Sequence, residues 1–130
     1  MPPRAEPVSL GILLLGGTHD RAHYAFVMAT GAAALGRRVV LFASNAGCRA
    51  LLRDWATLDD AGRDALVQAR GVAGLDTLRE AAAELGIRML VCEAGLRAEA
   101  LEAAPLLAGV EVVGIATFLS ESAGGQMITI

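Results

Sequence analysis

The stretch Val8–Gly17, VSLGILLLGG, decides how the rest of the chain is read. From Val8 to Leu15 it is an apolar run without the alternation of a half-exposed strand, and it stops at the pair Gly16-Gly17. A strand that is apolar throughout is covered on both faces, as in a parallel sheet held between helices. The chain then keeps that rhythm. Thr18-His19-Asp20 offers N-caps for a helix over Ala22 to Leu35, with Tyr24, Met28 and Leu35 on one face and Phe26, Ala29 and Ala33 on another, which predicts burial on two sides. Gly36 ends that helix, Arg38–Phe42 (RVVLF) is the second strand, and Ser44 or Asn45 can cap a short helix running through Arg53.

Asp54–Ala73 is the most polar stretch, holds the only tryptophan, Trp55, and has a weak helical pattern around Ala61–Ala69, so it reads as an excursion from the sheet. Leu75, Leu78, Ala82 and Leu85 share a helical face and Thr77-x-x-Glu80 has the form of a capping box, which predicts a helix over about Asp76–Leu85 ended by Gly86. Ile87–Cys92 (IRMLVC) is the third strand and a helix is expected over about Arg97–Leu107, with Pro105 in or just past its last turn. Val110–Gly114 (VEVVG), a helical turn at Thr117–Ser122, and Gln126–Ile130 (QMITI) as an edge or final strand complete an α/β order, that of an open parallel sheet with helices on both faces.

The 130 residues, 55% apolar and 19% charged, suit one domain over 1–130. Fourteen acidic and eleven basic residues are interspersed, so there is no basic footprint for nucleic acid. All the basic residues are arginine, and the absence of lysine excludes a Walker A loop, a pyridoxal Schiff base and lysine-borne biotin or lipoate. A mean hydropathy of +0.52 leaves surplus apolar surface that must be covered. The longest stretch without Arg, Asp or Glu, Ala22–Gly36, falls short of the ~20 apolar residues that span a membrane, so no membrane partner is expected and burial between subunits is. At the start, Arg4 precedes an apolar run, but Glu6 intervenes and no small-x-small cleavage site follows, which points to a cytoplasmic protein rather than a secreted one. Cys48 and Cys92 are then expected as buried or reactive thiols, not a disulfide.

In an open parallel sheet, ligands gather at the carboxyl ends of the strands. Those loops supply Gly16, Gly17, Thr18, His19 and Asp20, then Ser44, Asn45 and Cys48, then Cys92 and Glu93, then Thr117. Cys92 ends a buried strand just before a loop-to-helix transition, where backbone N–H groups favour a thiolate, while the neighbouring Glu93 opposes it. A small buried hydrophobe is the other reading of the same residue. Cys48 is expected to pack in the short helix. His19 and His23 stand i, i+4, a spacing that can serve one metal, but no third ligand is evident in sequence and capping and surface roles are expected instead. Gly16-Gly17 is half of a dinucleotide fingerprint without its spacing, and G-x-S-x-G and C-x-x-C are both missing; no cofactor is expected.

Three segments carry a resemblance: ATGAAALGRRVVLFASNAGCRALL (29–52), LREAAAELGIRMLVCEAGLRAEAL (78–101) and GVEVVGIATFL (109–119). In that order and spacing, from about Val8 to Ile130, the chain resembles the DsrE/DsrF-like family of small sulfur-relay proteins. The resemblance implies a Rossmann-like three-layer α/β/α sheet of about five mostly parallel strands, trimeric or hexameric homo-oligomers, and a cysteine at the position of Cys92 that takes up sulfur as a persulfide. Many relatives have a Met- and Ser-rich loop after that cysteine; here it is Glu93-Ala94-Gly95-Leu96-Arg97.

Two functions follow as expectations. In the first, Cys92 carries sulfur between donor and acceptor proteins in a sulfurtransferase-like relay, with Arg97 or a neighbouring subunit's arginine offsetting Glu93. In the second, the loops after the first three strands, with Gly16, Gly17, Thr18, His19, Asn45 and Cys48 among them, hold a small ligand, and Cys92 only lines the pocket.

Overall fold

A computed structural model describes residues 7–130. The reading of Arg4 and Glu6 against a signal sequence lies outside the described residues. Strand β1 (Leu10–Leu14) leads into helix α1 (His19–Ala34) and strand β2 (Val39–Ala43). A 3-10 helix over Asn45–Leu51 follows, then α2 (Arg63–Ala69), α3 (Leu75–Glu84), β3 (Arg88–Cys92), α4 (Glu93–Ala98), β4 (Glu111–Val113), α5 (Ile115–Glu121) and β5 (Gln126–Thr129). The five strands form one sheet in the order β4-β3-β2-β1-β5, and every pairing is parallel. β5 is an edge strand, as its sequence predicts.

Burial follows from that order. β2, central and buried along its whole length, is the apolar VVLFA that a doubly covered strand requires. Its residues alternate between two cores: Val39, Leu41 and Ala43 meet α1 and α3 residues such as Phe26, Ala29, Leu75 and Ala82, while Val40 and Phe42 meet Phe118 of α5 on the other face. The rings of Phe42 and Phe118 stack with centroids 4.9 Å apart. The two faces are unequally covered. Among the described residues the seven-residue α5 is the only helix on its side, tied down by Glu121, which pairs with both Arg38 and Arg88 at the starts of β2 and β3.

Several boundaries differ from the sequence reading. α1 begins at His19, and only one of its faces is buried; Tyr24 and Leu35, on the face expected to pack, are exposed. The segment after Ser44 is 3-10 rather than α-helical, and the Ser44 side chain makes no capping bond. In α3 the cap position belongs to Gly74, so Thr77 and Glu80 lie inside the helix and form no capping box; the Leu75 N–H is met by Asp64 Oδ1 at 2.9 Å instead. The helix expected over Arg97–Leu107 is the short α4, which starts directly at Glu93. The alanine-rich run favours helix, but tertiary packing overrides it. Beyond Ala100, at φ +55°, the chain turns back so that the Pro105 carbonyl accepts from Arg53 N–H and Leu107 N–H donates to Leu51, which lays Leu101, Leu106 and Leu107 on the core.

Candidate functional site

Cys92 stands where β3 becomes α4 with no loop between them. It is the last residue of the strand and the N-cap of the helix, at φ −75° and ψ 122°, and its Sγ accepts the Gly95 N–H at 3.4 Å. An N-cap side chain occupies the place where helix N–H groups lack partners, so the sulfur fills the role that Ser or Asp usually takes. Phe42, Leu90 and Phe118 pack beside it, and it is 7% exposed. It lines a cleft of about 340 Å³ together with Glu93, Ala94, Arg97, Gly114 and Ile115.

Glu93 and Arg97 are one helical turn apart on this rim, with Arg97 Nη2 donating to Glu93 Oε1 at 3.0 Å. The guanidinium thus lies against the carboxylate that follows the thiol. Gly95 fixes where α4 starts. A Cβ there would lie 2.6 Å from both the Asn45 nitrogen and Ser44 Oγ. Asn45 holds the left-handed φ of +52°, a conformation that Asn tolerates better than most residues.

The other predicted residues lie elsewhere. Cys48 has no exposure, sits in the core beneath α1 and points its Sγ at the Ala43 carbonyl, 3.8 Å away. Burial pushes its thiol up to about 12. Gly16 and Gly17 form a packing turn: Gly16 N–H donates to Ile130, the Gly17 carbonyl accepts from Asp59, and a Cβ on Gly17 would meet that of Ala46 at 2.5 Å. Thr18 gives its hydroxyl to Asp20. None of Gly16, Gly17, Thr18, His19, Asn45 and Cys48 lines the cleft with Cys92.

His19 and His23 do come together, their rings stacked at 5.4 Å. His19 is fully buried with Nε2 2.7 Å from Asp64 Oδ1, and His23 Nε2 meets the Ala73 carbonyl at 2.7 Å. Among the described residues, no group of three His, Cys, Asp or Glu side chains is placed to hold a metal ion.

Two buried residues were missed in sequence. Asp64 gathers His19, the Leu75 N–H and Gln68 Nε2 and so joins α1, α2 and α3. Burial raises its carboxyl, but hydrogen bonds from these three groups outweigh that and hold it below the usual range. Arg79 donates to the carbonyls of Ala50, Leu52 and Arg53, pinning the end of the 3-10 helix that follows β2. It was detectable, since position 79 lies i+4 from Leu75 on the buried stripe of α3.

The DsrE/DsrF-like family model matches residues 9–124. In structure the chain is similar to the ychN protein from E. coli, with a TM-score of 0.67 and 12% identity over 95% of this chain and 99% of that one, a likeness of fold. No curated protein matches the sequence. Among the described residues no helix is long and apolar enough to cross a membrane.

Proposed function

The chain belongs to the DsrE/DsrF-like family, and from that premise we propose that it is a sulfur carrier whose cargo is held on Cys92. The Cys92 thiolate attacks the outer sulfur of a donor persulfide, R–S–SH. The donor S–S bond breaks, its electron pair leaves with R–S⁻, and Cys92 becomes Cys92–S–SH with no net oxidation. An acceptor thiolate then attacks the outer sulfur in turn and returns Cys92 as thiolate. One observation carries the reading: the sulfur accepts the Gly95 N–H at the start of a helix while lining a cleft, so a hydrogen-bonded thiol has an approach path. Unpaired thiols at Cys48 and Cys92 suit the reducing cytoplasm.

The same proposal includes a homo-oligomer, a trimer or hexamer, as well as donor and acceptor proteins. A parallel sheet is normally covered on both faces. Here the α5 side leaves Ile115 and Leu119, one turn apart, and Met127 of β5 exposed, and Ile115 also lines the Cys92 cleft. A second copy on this face would cover them and narrow the entrance to the sulfur. The second reading, a binding module of the same fold, is favoured by the low exposure of Cys92 and the largely apolar cleft wall. Incubation with a persulfide donor separates the two: a carrier gains the mass of one sulfur atom, reversibly by dithiothreitol, and a binding module gains none.

A further inference from the structure

Glycine inside a helix is unfavourable compared with alanine, so a helical glycine asks for a reason. Gly95 is the third residue of α4, and its surroundings supply one. A Cβ would be 2.6 Å from the backbone nitrogen of Asn45, 2.6 Å from Ser44 Oγ and 3.0 Å from Ser44 Cα. That turn has little freedom to yield. Ser44 N–H is bonded to the Leu14 carbonyl at 3.0 Å, the Ser44 carbonyl accepts Gly47 N–H at 3.0 Å, and Asn45 is already at a left-handed φ. Any residue larger than glycine at position 95 must therefore move α4 away from the turn. The N–H that moves with it is the one donated to Cys92 Sγ.

We infer that Gly95 is the positioning residue of Cys92: its missing side chain lets α4 start against the Ser44–Asn45 turn, and that close contact holds the Gly95 N–H on the sulfur. The end of β2 thereby sets the state of a thiol at the end of β3. The inference rests on Cys92 being the working thiol, though not on sulfur being its cargo. The titratable and charged groups around the thiol are Glu93 and Arg97 on α4 and Cys48 on the 3-10 helix, while the β4–α5 junction brings only Gly114 and Ile115. None of them is substituted in the variant below, and Glu93 and Arg97 move together with α4 as a pair.

The test is iodoacetamide labelling of Cys92, mapped by peptide mass, across a pH series in wild type and Gly95→Ala. The variant is expected to react about three- to tenfold more slowly at neutral pH and at the wild-type rate in strong alkali, where either thiol is ionised. A folded Gly95→Ala protein with an unchanged pH profile would overturn the inference. A second measurement needs no variant: in wild type the Gly95 amide proton resonance should move with the same pH midpoint as Cys92 labelling, and a flat resonance overturns the inference even if Gly95→Ala fails to fold. Wild type that takes up no sulfur, yet shows both effects, would refute the carrier reading and leave this one standing.

Discussion

Asp64 Oδ1 lies 2.7 Å from His19 Nε2, and that contact, beside the His19 N–H donated to the Asp59 carbonyl, fastens the polar excursion after the 3-10 helix to the first turn of α1. The same oxygen accepts the Leu75 N–H, so a side chain from α2 caps α3. Asp64→Ala leaves a buried imidazole N–H and a helix N–H unmet, and the expected loss of stability is about 2–4 kcal/mol by urea unfolding. A loss below about 1 kcal/mol would show that water replaces the carboxylate.

The same carboxyl contributes to the acid limb of stability, beside the lowered carboxyls of Asp20 and Glu121. Its folded value is lowered below the ordinary 3.8, so its contribution is whole above that value and is lost as pH falls through the lower folded value. Asp64→Asn, which keeps the shape and drops the charge, should flatten the fall in melting temperature on the acid side. An equally steep acid limb in Asp64→Asn would assign it to other groups.

Cys48 and Cys92 should differ sharply in reactivity. With burial holding the Cys48 thiol at about 12, almost none of it is thiolate at neutral pH, and no exposed surface leads to it. Iodoacetamide under native conditions is expected to label wild type once, at Cys92, and to leave Cys92→Ser unlabelled. Labelling of Cys92→Ser at the wild-type rate would move the site to Cys48.

The Glu93–Arg97 pair should tune the loading of Cys92. Both side chains are well exposed, so the effect is modest. Glu93→Gln removes a negative charge beside the thiol and should speed persulfide formation by about two- to threefold, while Arg97→Gln leaves the carboxylate unpaired and should slow it by a similar factor. Stopped-flow loading rates for the two variants check this, and changes in the same direction would contradict it.

The α5 face should hold subunits together. Light scattering of wild type at micromolar concentration is expected to give a multiple of 13.4 kDa, and Leu119→Glu to give the monomer. A stable wild-type monomer would contradict the expectation, since Ile115, Leu119 and Met127 would then face water without consequence.

β1 and β2 were legible because strands covered on both sides leave continuous apolar words, here LGILL and VVLFA. Position at the end of a strand also brought Cys92 forward. What did not show was anything made by distant partners. Nothing near Asp64 announces His19, 45 residues away, and nothing in an alanine-rich run announces that Leu106 will bridge to Leu52. Gly95 was invisible for the same reason: its need for no side chain comes from Ser44 and Asn45, on another strand's loop. Gly16-Gly17, read as a possible ligand turn, packs closely, Gly16 against the Arg21 side chain and Gly17 against Ala46.

Sulfur uptake by Cys92 is open to direct measurement. Wild type and Cys92→Ser, each incubated with a persulfide donor and then digested, would be compared by peptide mass. One added sulfur atom is expected on the Cys92 peptide of wild type, removed by dithiothreitol, and none anywhere in Cys92→Ser. An unmodified Cys92 peptide in wild type, from protein whose Cys92 still alkylates, would contradict it and leave the binding module as the function of the cleft.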